Sequence, residues 1–140
     1  MSGGAYEYVA AYVNNGDSNL TKYGSSLVNA AGKYKDVYKV TSDSQSNNYN
    51  NAQPIQGQGT PTENTGHYGD AVWETSSSVS GLYKNSWYSD NSEFPYSSYP
   101  FFHRGGHYSI TSTAGVFYFN SNDGSYDGSI FGFRVVVPVM

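Results

Sequence analysis

Residues 41–66 (TSDSQSNNYNNAQPIQGQGTPTENTG) contain almost no side chain that can help to build a hydrophobic core. A segment this polar buries too little apolar surface to offset the entropy lost when its backbone is ordered. We therefore predict a long loop here. The chain has 140 residues, which is enough for one hydrophobic core, so residues 1–140 are interpreted as a single domain.

Outside this loop the sequence predicts mostly strands and one helix. β-rich or extended runs occur at residues 3–13, 69–75, 104–109, 114–119 and 131–137. Residues 120–129 are predicted to be a loop between the last two runs. Leu27–Val40 is predicted to be a helix, because its apolar residues recur at helical spacing, although Gly32 interrupts it. These elements indicate an α+β fold with a small twisted antiparallel sheet, one or two helices and long irregular loops.

The composition disfavours several classes of function. Only 13% of the residues are charged, the net charge is −4 and the basic residues are scattered, which argues against nucleic acid as a partner. No window is apolar over the length of a membrane-spanning helix, so no membrane insertion is expected of this segment. The absence of cysteine removes disulfides and thiolate chemistry. The chain should still fold, because 17% of its residues are aromatic.

Three short motifs, in the same order, resemble those of the formylglycine-generating (sulfatase-modifying) enzyme family. Residues 1–9 (MSGGAYEYV) are similar to D-M-x-G-N-V-W-E-W, Arg104–Tyr108 (RGGHY) to R-G-G-S-W/Y, and Phe131–Val136 (FGFRVV) to the terminal I-G-F-R-V-V. The middle of the chain, residues 14–100, matches no motif. The resemblance implies a C-type-lectin-like fold. Gly105 and Gly106 are expected to allow a positive φ or a close approach of the backbone.

The chain departs from the catalytic members of that family at the residues that carry the reaction. Those members place two cysteines shortly after the R-G-G motif, and an ungapped alignment puts Ile110 and Gly115 at these positions. Neither residue can act as a nucleophile or as a thiolate ligand. We therefore expect a protein that is not an enzyme.

Some members of the family hold a structural calcium ion, which would here involve Glu7 and the carbonyls of Gly3 and Ala5. The simpler interpretation of Glu7 is a partner for the backbone or for an arginine such as Arg134. No other cofactor is expected.

The remaining residues form no recognised catalytic or metal-binding pattern. No serine lies in a G-x-S-x-G elbow, and His67, His103 and His107 lack the spacing of a metal site. His103 and His107 flank the R-G-G motif and are close enough in sequence to meet. They are interpreted as polar loop or surface residues.

The segment between R-G-G and G-F-R has an unusual residue content. Residues 105–133 contain no Lys, Glu, Gln, Met, Trp, Pro or Leu. The types at the variable-looking positions can all be reached from an Asn codon by replacing adenines. This resembles the variable proteins of diversity-generating retroelements, in which adenine-directed mutagenesis rewrites this part of a C-type-lectin-like domain. Chance is the alternative, because the upstream loops are also rich in Ser and Asn.

These patterns predict a ligand-binding, adhesin-type or receptor-type domain with a Tyr/Ser/Asn-rich surface near residues 107–130. Such residues supply rigid aromatic contacts and adaptable hydrogen bonds in antibody paratopes. Ala114, Val116 and Phe133 are predicted to be scaffold. The candidate ligand contacts are His107, Tyr108, Ser109, Thr111, Ser112, Thr113, Tyr118, Asn120, Asn122, Ser125, Tyr126 and Asp127.

The expected partner is a protein or glycan on another surface. The domain is expected to belong to a longer protein that acts outside the cell, on a cell surface or on a virion, as in phage or prophage proteins. One alternative function is a structural subunit or tip domain of a pilus or phage tail with no variable face. Another is an enzyme that performs a different reaction on the same scaffold.

Overall fold

The computed structural model describes residues 4–40, 43–51, 53–56, 72, 75–76, 86–110 and 112–132. The strands are β1 (Tyr6–Val13), β2 (Asp36–Lys39), β3 (Gln53–Gln56), β4 (Phe101–Arg104), β5 (Phe119–Asn122) and β6 (Phe131–Gly132). The helices are α1 (Asn19–Lys22), α2 (Ser25–Asn29) and α3 (Gln45–Asn51), and short 3-10 turns occur at Gly32–Tyr34 and Trp87–Ser89.

The strands form one mixed sheet in the order β3-β2-β1-β4-β5, and β6 also pairs with β1. β1 runs parallel to β2 and β6 and antiparallel to β4, and the pairs β2–β3 and β4–β5 are antiparallel. The α+β class is confirmed. The prediction of an antiparallel sheet is wrong, because two of the strands beside β1 run in its own direction.

β1 is buried on both faces of the sheet, as alternate side chains of a strand point in opposite directions. One face carries a cluster of buried residues: Ala11, Val13, Tyr38, Val40, Tyr49, Val72, Phe94, Phe102 and Phe119. The other carries Tyr12, Leu20, Val37 and Phe101, with Tyr8, Leu27 and Val28 packed against them. The prediction of an extended run at residues 3–13 is confirmed over β1, whose last three residues are buried.

The predicted helix over Leu27–Val40 is wrong beyond Asn29, where α2 ends. The chain leaves α2 at Ala30, whose ψ of 154° is extended, and then forms a 3-10 turn and β2. Val37 and Tyr38 are neighbours in sequence and pack into opposite clusters. A strand with both faces covered buries two such neighbours at once, and a helix would place them on one side. Sheet pairing therefore overrides the helical spacing.

The predicted loop over residues 41–66 is wrong in part, because it contains α3 and β3. The segment enters the core through two polar side chains. The Asn48 amide donates to the carbonyl of Pro95 (3.1 Å), and the Tyr49 hydroxyl donates to the carbonyl of Ser76 (2.7 Å). Buried polar groups with partners of this kind do not oppose folding. Residues 41–42, 52 and 57–66 of the predicted loop lie outside the described residues.

The strands near the C-terminal end are displaced from their predicted positions. A strand was predicted over residues 104–109. Instead, Arg104 is the last residue of β4, because Gly105 turns the backbone with a φ of +71°. Residues 115–117 form a turn instead of a strand, and β5 begins at Phe119 and continues into the predicted loop. Of residues 131–137 the structure describes β6, and the remainder lies outside the described residues.

Residues 69–75 were expected to be a strand. Only Val72 and Thr75 of this run are described, and both are helical. Among the described residues, none of the helices has the length and apolar character needed to cross a bilayer.

Candidate functional site

A group of stacked rings lies beneath the segment that was expected to bind ligand. Tyr6 of β1 contacts His103 of β4 (ring centroids 4.5 Å apart), Phe131 of β6 (5.1 Å) and Tyr118 (5.4 Å). Tyr6, His103 and Tyr118 are at most 8% exposed, and Phe131 is half-buried. We call these four residues the inner ring cluster. Because three of them come from paired strands, the sheet fixes their positions.

Two exposed tyrosines are attached to this cluster from different loops. Tyr108 is 70% exposed and contacts His107 (5.9 Å), whose ring lies edge-on to Tyr6 (4.6 Å). Tyr126 is 48% exposed and contacts Phe131 (5.0 Å). Tyr108 and Tyr126 are thus supported by one packed base although they are far apart in the sequence.

Backbone hydrogen bonds and the R-G-G motif fix the Tyr108 side of this site. The amide of Tyr108 donates to the carbonyl of Gly4 (3.0 Å), which ties the segment to the start of the chain. Gly105 has the positive φ expected of it. At Gly106 a Cβ would lie 2.0 Å from the Cβ of Ala114, so the expected close approach also occurs there.

The Tyr126 side is held by amide side chains. The Asn122 carbonyl oxygen accepts from the Tyr8 hydroxyl (2.6 Å) and from the amide of Gly124 (2.8 Å). The Asn120 amide donates to the Tyr118 hydroxyl (3.1 Å). Asn120 and Asn122, both predicted ligand contacts, are half-buried and bind the protein itself.

The structure divides the predicted ligand contacts by exposure. The exposed ones are Tyr108, Ser109, Ser112, Ser125, Tyr126 and Asp127, and the half-buried ones are His107, Thr113, Asn120 and Asn122. Thr111 lies outside the described residues. We call His107, Tyr108, Ser109, Ser125, Tyr126 and Asp127 the tyrosine face.

Two predictions in this segment are wrong. Tyr118 was predicted to contact ligand, but it is 2% exposed and its hydroxyl donates to that of Tyr6 (3.2 Å). Val116 was predicted to be scaffold, but it is 55% exposed. The reason is that residues 112–117 form turns, so the alternation expected of a strand does not apply. Ala114 is half-buried, as a scaffold residue should be, and Phe133 lies outside the described residues.

A second group of exposed rings was missed from the sequence. Trp87 is 59% and Tyr88 86% exposed, and both contact Phe117, at 5.7 Å and 5.9 Å between ring centroids. The Tyr88 and Phe117 rings are nearly parallel (11°). We call Trp87, Tyr88 and Phe117 the aromatic platform. The sequence signal that could have located it is the run of aromatic residues in an otherwise polar segment.

The backbone of the platform is strained. Tyr88 and Ser89 have φ values of +59° and +66°, which side chains other than glycine rarely adopt. Each such residue costs about 1–3 kcal/mol and persists only where its surroundings hold it. Here the buried Asp90 carboxylate accepts from the amide of Phe117 (2.9 Å), and the Ser86 hydroxyl donates to the carbonyl of Phe117 (3.1 Å).

His103 is the most perturbed titratable group of the site. Burial and, to a smaller extent, the neighbouring His107 lower the pKa of His103 to about 3. Neither ring nitrogen has a hydrogen-bond partner among the described residues. His103 was interpreted as a loop or surface residue, and this is wrong, since β4 carries it into the inner ring cluster. His103 and His107 each contact the ring of Tyr6.

The described residues contain no group of three or more His, Asp or Glu side chains that could hold a metal ion. Glu7 is half-buried on β1, with Arg104 of β4 and Gly132 of β6 as its cross-strand neighbours. Gly3, the other end of the suggested calcium site, lies outside the described residues, as do Arg134 and His67.

Comparisons with protein-family models, with curated proteins and with solved structures find no match to this chain. The geometry of the tyrosine face and of the aromatic platform therefore carries the functional argument.

Proposed function

We propose that this chain is a non-enzymatic ligand-binding domain of the C-type-lectin-like kind, and that the tyrosine face is its binding surface. The observation that carries the proposal is the convergence of Tyr108 and Tyr126 on the inner ring cluster. Each ring packs on a ring beneath it, Tyr108 on His107 and Tyr126 on Phe131, and remains 70% and 48% exposed respectively. The ligand is a protein or glycan on another surface.

This arrangement has the physical properties of an efficient binding surface. A tyrosine loses little conformational entropy on binding because it has only two side-chain torsions, and it buries a large amphipathic area. Support from the inner ring cluster reduces that cost further, since the rings are already ordered. Ser109, Ser125 and Asp127 are exposed beside the tyrosines and supply hydrogen-bonding groups that orient a ligand.

The same geometry favours diversification of this surface by a retroelement. Tyr108, Ser109 and Asp127 are exposed, so their replacement leaves the packed core unchanged. Gly106 and Gly115, in contrast, have no room for a side chain. A Cβ at Gly106 would lie 2.0 Å from the Cβ of Ala114, and a Cβ at Gly115 would lie 2.1 Å from a carboxylate oxygen of Asp90. A scaffold of fixed glycines that carries exchangeable exposed residues is what such mutagenesis requires.

The close approach of Gly115 and Asp90 also supports a domain that does not perform the reaction of the formylglycine-generating enzymes it resembles. Gly115 is one of the two positions that align with catalytic cysteines, and any side chain there would overlap the Asp90 carboxylate. A cysteine could not occupy it unless the segment moved. With this packing the domain has no room for one of the two cysteines that the catalytic members use.

The test compares a double variant, Tyr108→Ala/Tyr126→Ala, with Tyr34→Ala as matched control. Tyr34 is 62% exposed and lies in the 3-10 turn after α2, outside the tyrosine face. Each purified protein is probed on a glycan microarray and against a phage-displayed peptide library selected on the wild-type domain. We expect probes that bind the wild type and Tyr34→Ala alike and lose at least about tenfold in affinity, or about 1.4 kcal/mol, on the double variant.

Thermal melting of all three proteins is measured in parallel, and we expect the melting temperature to be nearly unchanged because the replaced rings are exposed. Ligands that bind all three proteins equally would contradict the proposal. The same conclusion would follow if Tyr34→Ala abolished binding as completely as the double variant.

A further inference from the structure

The aromatic platform has the geometry of a stacking surface. Tyr88 and Phe117 are nearly parallel, and Trp87 lies beside Phe117 at an angle of 54°. Trp87 and Tyr88 are the more exposed members, at 59% and 86%. An exposed patch of several aromatic side chains is unusual on a protein that binds nothing there, because it leaves apolar area in water.

The two segments that build the platform carry no net charge of their own. Residues 86–89 read SWYS and residues 112–117 read STAGVF, so their side chains are aromatic, aliphatic or hydroxyl-bearing. Ser89 and Ser112 are exposed. The neighbouring carboxylate, Asp90, is 5% exposed and accepts from the backbone, so it does not present its charge to solvent.

The platform is also held rigidly. The amide of Asn91 donates to the carbonyl of Thr113 (3.1 Å) and that of Phe119 to the carbonyl of Asn91 (3.1 Å), which joins the two segments. Two successive residues, Tyr88 and Ser89, keep a left-handed backbone that costs free energy. Residues with such strain cluster at ligand-binding and active sites.

We propose that the aromatic platform is a second binding site, specific for the rings of a neutral oligosaccharide. A pyranose ring has one face of C–H groups, which packs on the electron-rich face of an aromatic ring, and a rim of hydroxyls. The exposed Tyr88 ring, which is nearly parallel to the Phe117 ring, matches the first feature. Ser89 and Ser112 are exposed in the two platform segments and offer hydroxyls for the second. This site goes beyond the tyrosine face, because Trp87 and Tyr88 lie outside residues 107–130.

The charge of the platform argues for a saccharide over the other ligands that stack on aromatic rings. A nucleic acid strand needs cationic groups beside the rings, and the platform segments have none. A protein partner needs a contact of about 20–30 residues a side, with a polar rim. Three aromatic rings, two of them nearly parallel, form a surface small enough for one or two sugar rings.

The experiment titrates the domain with four neutral trisaccharides, namely cellotriose, maltotriose, chitotriose and mannotriose, and with the anionic sialyllactose. Isothermal titration calorimetry measures affinity, and saturation-transfer NMR identifies the sugar protons in contact. The principal variant is Tyr88→Gly, which removes the ring while glycine adopts the left-handed backbone without strain. Tyr88→Asn is the second variant, since asparagine also tolerates that conformation.

We expect at least one neutral trisaccharide to bind, and both Tyr88 variants to weaken it by about tenfold or more, which is about 1.4 kcal/mol. Tyr108→Ala/Tyr126→Ala should leave that affinity unchanged. The proposal is overturned if no neutral sugar binds, if sialyllactose alone binds, or if both Tyr88 variants bind as the wild type does. Loss of sugar binding in the double variant with retention in the Tyr88 variants would assign the sugar to the tyrosine face. That outcome would reject the platform and support the proposed function.

Discussion

The buried histidine of the inner ring cluster makes the stability of the domain depend on pH. His103 is 3% exposed and its pKa in the folded protein is lowered to about 3, mainly by burial. In the unfolded chain its pKa is near the ordinary value of 6.5. The stability associated with neutral His103 is therefore complete above pH 6.5 and is lost as the pH falls below that value.

The expected loss follows from the two pKa values. Each unit of pH between them costs about 1.4 kcal/mol, because the unfolded chain binds a proton that the folded protein excludes. The free energy of unfolding should fall by about 2 kcal/mol between pH 7.5 and pH 5. A loss of this size is a large part of the stability of a small domain, which is typically about 5–15 kcal/mol.

Urea unfolding at pH 7.5 and pH 5, followed by far-ultraviolet circular dichroism, measures this difference for the wild type and for His103→Leu. Leucine has a similar volume and cannot be protonated, so the variant should lose most of the pH dependence over this range. At pH 7.5 it should be at least as stable as the wild type, because the variant no longer buries two unpaired ring nitrogens.

His107→Leu serves as the control. It leaves His103 buried, and burial is the larger cause of its pKa shift, so most of the pH dependence should remain. The reasoning would be refuted by a wild-type free energy of unfolding that is constant between the two pH values. It would also be refuted if His103→Leu lost stability in parallel with the wild type.

Three further predictions concern stability, each measured by urea unfolding. Tyr118→Ala should cost about 3–5 kcal/mol because a buried ring is lost, whereas Tyr108→Ala should cost less than about 0.5 kcal/mol, and equal losses would contradict the burial assignment. Gly115→Ala should destabilise by about 1–3 kcal/mol through overlap with a carboxylate, whereas Gly4→Ala, with no atom within 4 Å, should be nearly neutral. Ser89→Gly should stabilise by about 1 kcal/mol by relieving its positive φ, and a loss of stability would show that the strain is absent.

The sequence predicted those parts of the fold that depend on local pattern alone. The run of apolar and aromatic residues at Tyr6–Val13 is β1, and the paired glycines of the R-G-G motif adopt the positive φ and close approach expected of them. Prediction from the sequence failed where one residue pattern is compatible with two kinds of secondary structure. Val37 and Tyr38 suit one face of a helix as well as the two faces of a buried strand, and only the pairing of β2 with β1 decides between them.

The candidate site was also predicted in part. Tyr108 and Tyr126 are exposed and share a supporting cluster, but their common base comes from β1 and β6, which no local pattern reveals. Tyr118 was wrongly predicted to contact ligand, because its exposure depends on whether the segment before it is a strand or a turn. Trp87 and Tyr88 were missed because large aromatic residues are usually buried, and the positive φ of Tyr88 is not evident from its sequence.

Sequencing the genomic neighbourhood of the coding region tests most directly whether the tyrosine face is a diversified binding surface. The account predicts a reverse transcriptase gene and a near-copy of codons 104–134 that differs only where the copy has adenine. Differences should include the codons of Tyr108 and Tyr126 and should spare those of Gly106 and Gly115, where a side chain would collide with the scaffold. Absence of both elements, or differences concentrated at the two glycine codons, would contradict it.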